Sequence, residues 1–173
     1  LLSLIIKVYI SIMRGTPLML QLLVVYFGPY YLFGMRIGGS YRFIAIIAGF
    51  ALNYAAYFAE IYRGGIESIP AGQYEAAEVL GFTKFQTFMR IILPQVVKII
   101  MPSVTNEVIT LVKDTSLARS IAVAEIFFVN EMDFLSRGLI WPLFYTGVFY
   151  LVFVGILTIV LGRVEKKLSY FRS

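Results

Sequence analysis

Four apolar segments restrict what this chain can become more than any other feature. They run from Pro17 to Met35, Phe43 to Ile61, Ile91 to Val112 and Trp141 to Leu161. Each approaches the ~20 residues that an α-helix needs to cross a ~30 Å hydrocarbon core. Composition points the same way: 60% of the residues are hydrophobic and 14% charged, against about 25% charged in an average soluble domain, and the mean hydropathy is +0.83. The expected fold is all-α, a polytopic membrane helical bundle. Gly34 to Arg42, with Gly38-Gly39, reads as a tight link that makes the first two spans an antiparallel pair. Asp114 to Ile140 mixes charges with Phe127-Phe128 and Phe134-Leu135 and is expected to lie partly along the membrane surface.

Between the second and third segments lies a polar island. Ser68 and Pro70 are helix-start signals, Gln73 to Leu80 favours helix, and Gly81 supplies the left-handed residue that ends it. Thr83 with Gln86 three positions on fits a capping box, so a second helix starts at once and runs into Ile91 and Leu93. The expected product is a short helix, a glycine elbow and a longer helix, a rigid shape suited to carrying force to another protein.

If that island is cytoplasmic, its side of the membrane holds Lys7, Arg14, Arg63, Lys84, Arg90, Lys98, Arg163, Lys166, Lys167 and Arg172. The other side holds Arg36, Arg42, Lys113, Arg119 and Arg137. The positive-inside rule then places the island and the C-terminus in the cytoplasm. It also accounts for the net charge of +5, because the basic residues flank spans and form no stripe interleaved with aromatics of the kind that binds nucleic acid. Tyr26, Tyr30, Tyr31, Trp141, Tyr145 and Tyr150 lie near span ends, as an interfacial aromatic belt does.

Polar residues inside the spans carry the site expectation. Asn53, Tyr57 and Glu60 are spaced i, i+4, i+7, and Ser103, Glu107, Thr110 and Asp114 are spaced i, i+4, i+7, i+11, so each set lies on one helix face. A carboxylate at the centre of a span costs about 2.5–3.5 kcal/mol on insertion scales, so both stripes are expected to face the bundle interior or a wet cavity. Helix-helix hydrogen bonding is the simpler account of Ser103 and Thr110, and Glu60 pairs as readily with Arg63 one turn on. Asp114-Thr115-Ser116 reads as a gate or as a helix cap. The substrate-binding set is Asn53, Tyr57, Glu107, Thr110, Asp114, Thr115 and Ser116, with Gln21 as the next place to look. Glu107 or Asp114, with carbonyls freed by Pro94 and Pro102, would take an ammonium, while Asn53 and the Tyr57 hydroxyl would donate to a carboxylate or polar side chain. No Lys or Arg sits at mid-span, which favours a neutral polar or cationic amino acid over an anionic one.

The polar island also carries a resemblance. Glu75-Ala76-Ala77, three residues, Gly81, nine residues and then Ile91-Ile92-Leu93-Pro94 resembles, at every anchor, the cytoplasmic loop signature of permease subunits of ATP-binding cassette (ABC) importers. Arg14-Gly15-Thr16-Pro17-Leu18, Ala59 to Ile66 and Lys113-Asp114-Thr115-Ser116-Leu117 are similar to the polar amino-acid branch of that family, the histidine, glutamine and arginine permeases. The resemblance covers nearly the whole chain. It implies a type I ABC importer permease fold and a single transmembrane permease domain over residues 1–173, with a cytoplasmic coupling loop at about 64–94. It implies four spans here and a further span upstream of Leu1, so that Leu1 to Met13 becomes a link along the cytoplasmic surface. Gln73, Tyr74, Glu75, Ala76, Ala77, Leu80, Gly81 and Phe82 become the contact with partner ATPase subunits, which would hold the ATP and Mg. The other implied partners are a second permease subunit in a homo- or heterodimer, an extracytoplasmic amino-acid-binding protein and the bilayer of a bacterial cytoplasmic membrane. No cofactor is expected in this chain.

Other chemistry is poorly supplied. The chain has no cysteine and no histidine, which removes thiolate chemistry and the commonest general base and metal ligand; no metal site is expected. The P-loop pattern is absent, so ATP would be hydrolysed by another subunit. A gradient-driven secondary amino-acid transporter could use the same polar stripes but leaves the loop signature unexplained, and a membrane-embedded enzyme lacks candidate catalysts.

Overall fold

The computed structural model describes residues 2–168, and helices and turns account for them. Two helices, α1 (Leu2–Gly15) and α2 (Leu18–Phe33), meet at an elbow bent by 112°. Pro17 makes the elbow: it holds its own backbone extended and disfavours helix at Thr16 before it. Gly34, at φ 65°, ends α2 with its amide on the Tyr30 carbonyl at 2.9 Å, a left-handed position that glycine takes without strain.

The long α3 (Gly39–Glu67) returns antiparallel to α2. The register is set by Tyr41, whose hydroxyl donates to the Val25 carbonyl at 3.0 Å, and by Asn53, which reaches Gln21 at the other end. Between them Gly49 faces the fully buried Leu22, and a Cβ at Gly49 would come within 2.6 Å of a Leu22 methyl. The small residue therefore sets how closely the two helices approach.

After the short helices α4 (Ala71–Val79) and α5 (Lys84–Thr87), a π-helical turn over Phe88–Ile92 feeds α6 (Leu93–Asp114). The widened turn falls just before Pro94, whose ring would collide with the carbonyl four residues back in a regular helix. Next to α6, Gly65 of α3 lets Val96 and Ile100 pack on the backbone, and Ile69, Ile92 and Val96 form a small core beside them. A seven-residue 3-10 helix over Thr115–Ile121 and the helix α7 (Ile126–Arg137) lead to α8 (Trp141–Leu168). Glu125 caps α7, its carboxylate accepting the Phe127 and Phe128 amides at 2.7 and 2.5 Å. Asn130 of α7 donates to the buried Thr146 of α8 at 2.7 Å.

Three helical runs are individually long and apolar enough to cross a membrane: the 29 residues of α3, the 38 residues from Lys84 to Ile121, and the 28 residues of α8. The fourth expected span is shorter than its sequence suggested. α2 has 16 residues, which at 1.5 Å each is about 24 Å, so a fourth crossing is present only if the bent α1–α2 pair counts as one span. The third span is longer than expected at both ends: a π turn tolerates Pro94 at its start, and a 3-10 helix continues α6 to Ile121. α1, where a link along the cytoplasmic surface was expected, is a helix that packs against the middle of α3, the Tyr9 hydroxyl donating to the Leu52 carbonyl. Leu1 and Arg172 lie outside the described residues.

Candidate functional site

Two regions bring together the residues singled out in the sequence. The first is the polar island. α4 ends in a Schellman motif: the Gly81 amide donates to the Glu78 carbonyl at 2.9 Å, the Phe82 amide to Ala77 at 3.0 Å, and Gly81 has φ 76°. The next helix begins two residues later with both halves of a capping box, the Gln86 amide donating to Thr83 Oγ1 at 3.3 Å and the Thr83 amide to Gln86 Oε1 at 3.0 Å. The amides of Leu80, Gly81, Phe82, Thr83, Gln86 and Thr87 are therefore each tied to a near neighbour, which holds the angle between the two helices. Gln95 ties the corner to the span, donating through Nε2 to the Ile91 carbonyl at 2.8 Å and to Gln73 Oε1 at 3.3 Å.

The faces of α4 correct the expected contact set. Ala77 is 1% exposed, so it packs inward and presents nothing to a partner. Gln73, Tyr74, Glu75, Ala76, Leu80 and Gly81 are exposed and Phe82 is half-buried. Leu80 is joined by Val79 and Phe85 in an apolar patch, the three being 73%, 88% and 70% exposed. Val79 and Phe85 were not singled out in the sequence. A helix-phase count from Ala77 as an inward residue would have found Val79.

The second region is the polar interior of α3 and α6. Asn53, Tyr57 and Glu60 do share one face, and that face meets the α1–α2 elbow. Asn53 is 4% exposed and spends both Nδ2 hydrogens there, on Gln21 Oε1 at 2.9 Å and the Met13 carbonyl at 3.2 Å. Gln21 Nε2 in turn donates to the Met13 carbonyl at 2.9 Å and to Thr16 Oγ1 at 2.8 Å. Asn53 is thus a brace of the elbow with no N–H left to offer a substrate carboxylate, a correction to its expected role. Tyr57 lies under the Arg14 guanidinium, 5.6 Å from ring centroid to Cζ. Glu60 accepts from Arg63 at 2.7 and 3.0 Å, as its spacing suggested, and also faces Arg14 at 3.4 Å.

The α6 stripe meets a different face of α3. Asp114 Oδ2 accepts from the Tyr54 hydroxyl at 2.8 Å, and Tyr54 stacks in sequence between Phe50 and Tyr57, with centroids 6.2 and 6.3 Å away. Asp114 does not cap the turn that follows it. Glu107, seven residues earlier on the same helix, is half-buried. Thr110, Thr115 and Ser116 donate to backbone carbonyls one turn back, those of Asn106, Val112 and Lys113 at 3.0, 2.6 and 2.9 Å. Tyr54 is the polar residue that sequence reasoning missed. It lies one position beyond Asn53 and so on a neighbouring face, and only the packing of α3 on α6 brings it to Asp114. Among the described residues no group of three or more acidic side chains is gathered as a metal site.

Residues 1–170 match the family described as binding-protein-dependent transport system inner membrane component. A putative glutamine transport system permease protein of Rickettsia bellii is 37% identical over 169 residues, covering 92% of this chain and 72% of the relative. The arginine transport system permease protein of Bacillus subtilis is 39% identical over 162 residues, covering 93% and 73%. Among solved structures, an amino acid ABC transporter crystallised with histidines superposes with a TM-score of 0.82 at 33% identity, covering 93% of this chain and 74% of the other. The methionine ABC transporter MetNI, at 18% identity and a TM-score of 0.76, shares the fold. With three to four membrane-crossing helices in the ABC importer arrangement and a family match over almost its full length, this chain belongs to the binding-protein-dependent transport system inner membrane components, the permease subunits of ABC transporters.

Proposed function

We propose that this chain is the membrane-spanning subunit of an ATP-driven importer that moves a polar amino acid across a bacterial cytoplasmic membrane. The observation that carries this reading is the corner at Gly81. A Schellman end and a capping box, two residues apart, hold α4 rigidly against α5 while Val79, Leu80 and Phe85 stand exposed. A helix fixed in that way transmits displacement to a partner, whereas a flexible loop would absorb it. The stretch at about 64–94 is then the cytoplasmic coupling loop of a single permease domain. Gln73 to Ala76, Val79 to Phe82 and Phe85 bear on an ATPase subunit that holds ATP and Mg. The C-terminal end of α8 returns to the same side if α6 and α8 are the next two crossings after that loop. A second permease subunit and an extracytoplasmic binding protein complete the assembly.

The substrate site in this reading is the acidic face of α6. Glu107 and Asp114, with the rings of Tyr54 and Tyr57 opposite, suit an ammonium or another cationic group, because carboxylates and aromatic faces both attract cations. Thr110, Thr115 and Ser116 lie along the same helix end. A neutral polar or cationic amino acid fits better than an acidic one, and relatives named for glutamine and arginine transport agree with that choice. The test is substrate-stimulated ATP hydrolysis by the complete complex in proteoliposomes. Gly81→Val is expected to keep membrane insertion and complex assembly while uncoupling hydrolysis from uptake. Full coupling in that variant would remove the central support for this reading.

A further inference from the structure

A cavity of about 300 Å³ lies round α6 from the acidic face, between the end of that helix, α7 and α8. Its position follows from helix phase. Asp114 turns towards Tyr54 of α3, and Lys113, one residue earlier, is about 100° round the helix from it. Lys113 and Ser116 therefore line the cavity. Leu143, Gly147 and Tyr150, spaced i, i+4, i+7, supply one face of α8, and Phe127 of α7 adds a further wall. Gly147 keeps the space open, since a Cβ there would meet no atom within 4 Å. Most polar groups around the cavity are already spent. The Thr146 hydroxyl accepts from Asn130 at 2.7 Å and donates to the Pro142 carbonyl at 2.9 Å, and the Ser116 hydroxyl donates to the Lys113 carbonyl at 2.9 Å. Arg119, the next cation along the chain, pairs with Glu131 and lies over the Phe127 ring at 4.9 Å. The Lys113 ammonium and the Tyr150 hydroxyl, by contrast, have no hydrogen-bond or ion-pair partner among the described residues. An unpaired ammonium and a free phenol on an apolar cavity suit an anionic group carried on an apolar body.

Depth in the membrane identifies that body. Trp141 opens α8 and is 63% exposed, as an interfacial residue is, and Leu143 to Tyr150 lie between about 3 and about 14 Å further along the helix. The headgroup layer is about 5–7 Å thick on each side of the hydrocarbon, so the cavity runs from headgroup level into the acyl chains. α8 is also the span least covered by its own chain, with 6% of its apolar stretch buried against 28% in α3. Lys113 and Gly147 are both exposed, so the cavity opens at that uncovered surface. The geometry points to a binding site for an anionic glycerophospholipid on the membrane face opposite the polar island. The Lys113 ammonium takes the phosphodiester, the Tyr150 hydroxyl donates to a glycerol ester carbonyl below it, and an acyl chain lies over Gly147. The bound lipid bridges the end of α6 to α7 and α8, and it needs nothing from the acidic face on the other helix partner.

The test is native mass spectrometry of the assembled permease–ATPase complex, stripped of lipid in a neutral detergent and titrated with phosphatidylglycerol, phosphatidylcholine or inorganic phosphate. A tightly held phosphatidylglycerol on each copy of this chain is expected, with a dissociation constant about 5-fold below that of phosphatidylcholine, the effect of one lysine on an anionic headgroup. Lys113→Gln is expected to erase that preference and Lys113→Arg to keep it. Gly147→Leu fills the cavity and is expected to lose the tightly held lipid of either kind while the complex stays assembled. Tyr150→Phe is expected to weaken both lipids about 3-fold and to leave the preference in place. Equal binding of the two lipids, or a preference that survives Lys113→Gln, overturns the proposal. Inorganic phosphate binding that Gly147→Leu leaves intact would make this a free-anion site, and dissociation of the complex in Gly147→Leu would make it a subunit interface; either result overturns the lipid site.

Discussion

The corner at Gly81 and the elbow at Pro17 are both made of a helix end, a sharp turn and a second helix, yet they take their shape from different distances along the chain. At Gly81 the Schellman and capping-box bonds join residues no more than five positions apart, with Gln95 to Gln73 the longer tie back from the span. At Pro17 the local bond from Thr16 back to Ile12 is supplemented by Asn53, which reaches Met13 forty positions away. The first corner therefore survives as long as its own dozen residues are helical. The second depends on α3 being packed beside it. That contrast teaches where each region is vulnerable: the Gly81 corner to changes of backbone conformation, the elbow and the acidic face to changes of long-range polar partners.

The largest expected effect tests the acidic side of this contrast. Removing one partner of a buried charged interaction costs about 3–5 kcal/mol, so Glu107→Ala is expected to lower uptake by two orders of magnitude or more with unchanged membrane expression. Parental uptake would leave Glu107 a structural residue. Ala77→Asp comes next. Ala77 is 1% exposed, so a carboxylate there is expected to reduce the thermal stability of the permease itself, by several kcal/mol. A variant that keeps its parental melting point and loses only ATPase coupling would return Ala77 to the contact face.

Asn53→Leu is expected to cost about 1–3 kcal/mol, because it leaves the half-buried Gln21 Oε1 without its donor. The loss should appear as a lower melting temperature and as proteolytic access near Gly15, with the polar island still protected. Equal loosening of both corners would break the distinction between them. Gly81→Val adds about 1–2 kcal/mol of left-handed strain with no steric clash, since nothing lies within 4 Å of a Cβ at Gly81. Its effect is expected in coupling more than in stability. Thr83→Ala is the mildest. It removes one half of the capping box for about 1 kcal/mol and is expected to lower the coupling ratio modestly, readable as ATP hydrolysed per substrate imported.

Much of this was legible beforehand, and the residues that were not share a cause. Gly81, Thr83 and Gln86 act on their own neighbours, so spacing alone revealed the Schellman end and the capping box. Glu60 and Arg63, three apart on a helix, were readable as a pair for the same reason. Asn53 was assigned to a cavity because a polar stripe in a span must face something other than lipid, an argument that gives no information on which neighbour it faces. Tyr54 was overlooked because a tyrosine in an aromatic-rich span resembles its apolar neighbours until a carboxylate is placed opposite it. Arg14 was counted as a topology signal, and its contact with Glu60 crosses from the elbow to α3.

What the sequence determined by itself is the class of the molecule and the form of its corner at Gly81. Apolar runs of fixed length, helix stop and start signals and the anchors of the island are local quantities, set by the cost of polar backbone in lipid and by the conformations that glycine, proline and threonine prefer. Tertiary structure decided the rest: that α1 leans on the middle of α3, that Asn53 braces the elbow, that Ala77 turns inward, and that Tyr54 reaches Asp114. The period of a helix states which residues share a face, but the partner of that face depends on how helices cross, and the close approaches at Gly49 and Gly65 that set those crossings exist only once α2, α3 and α6 have packed.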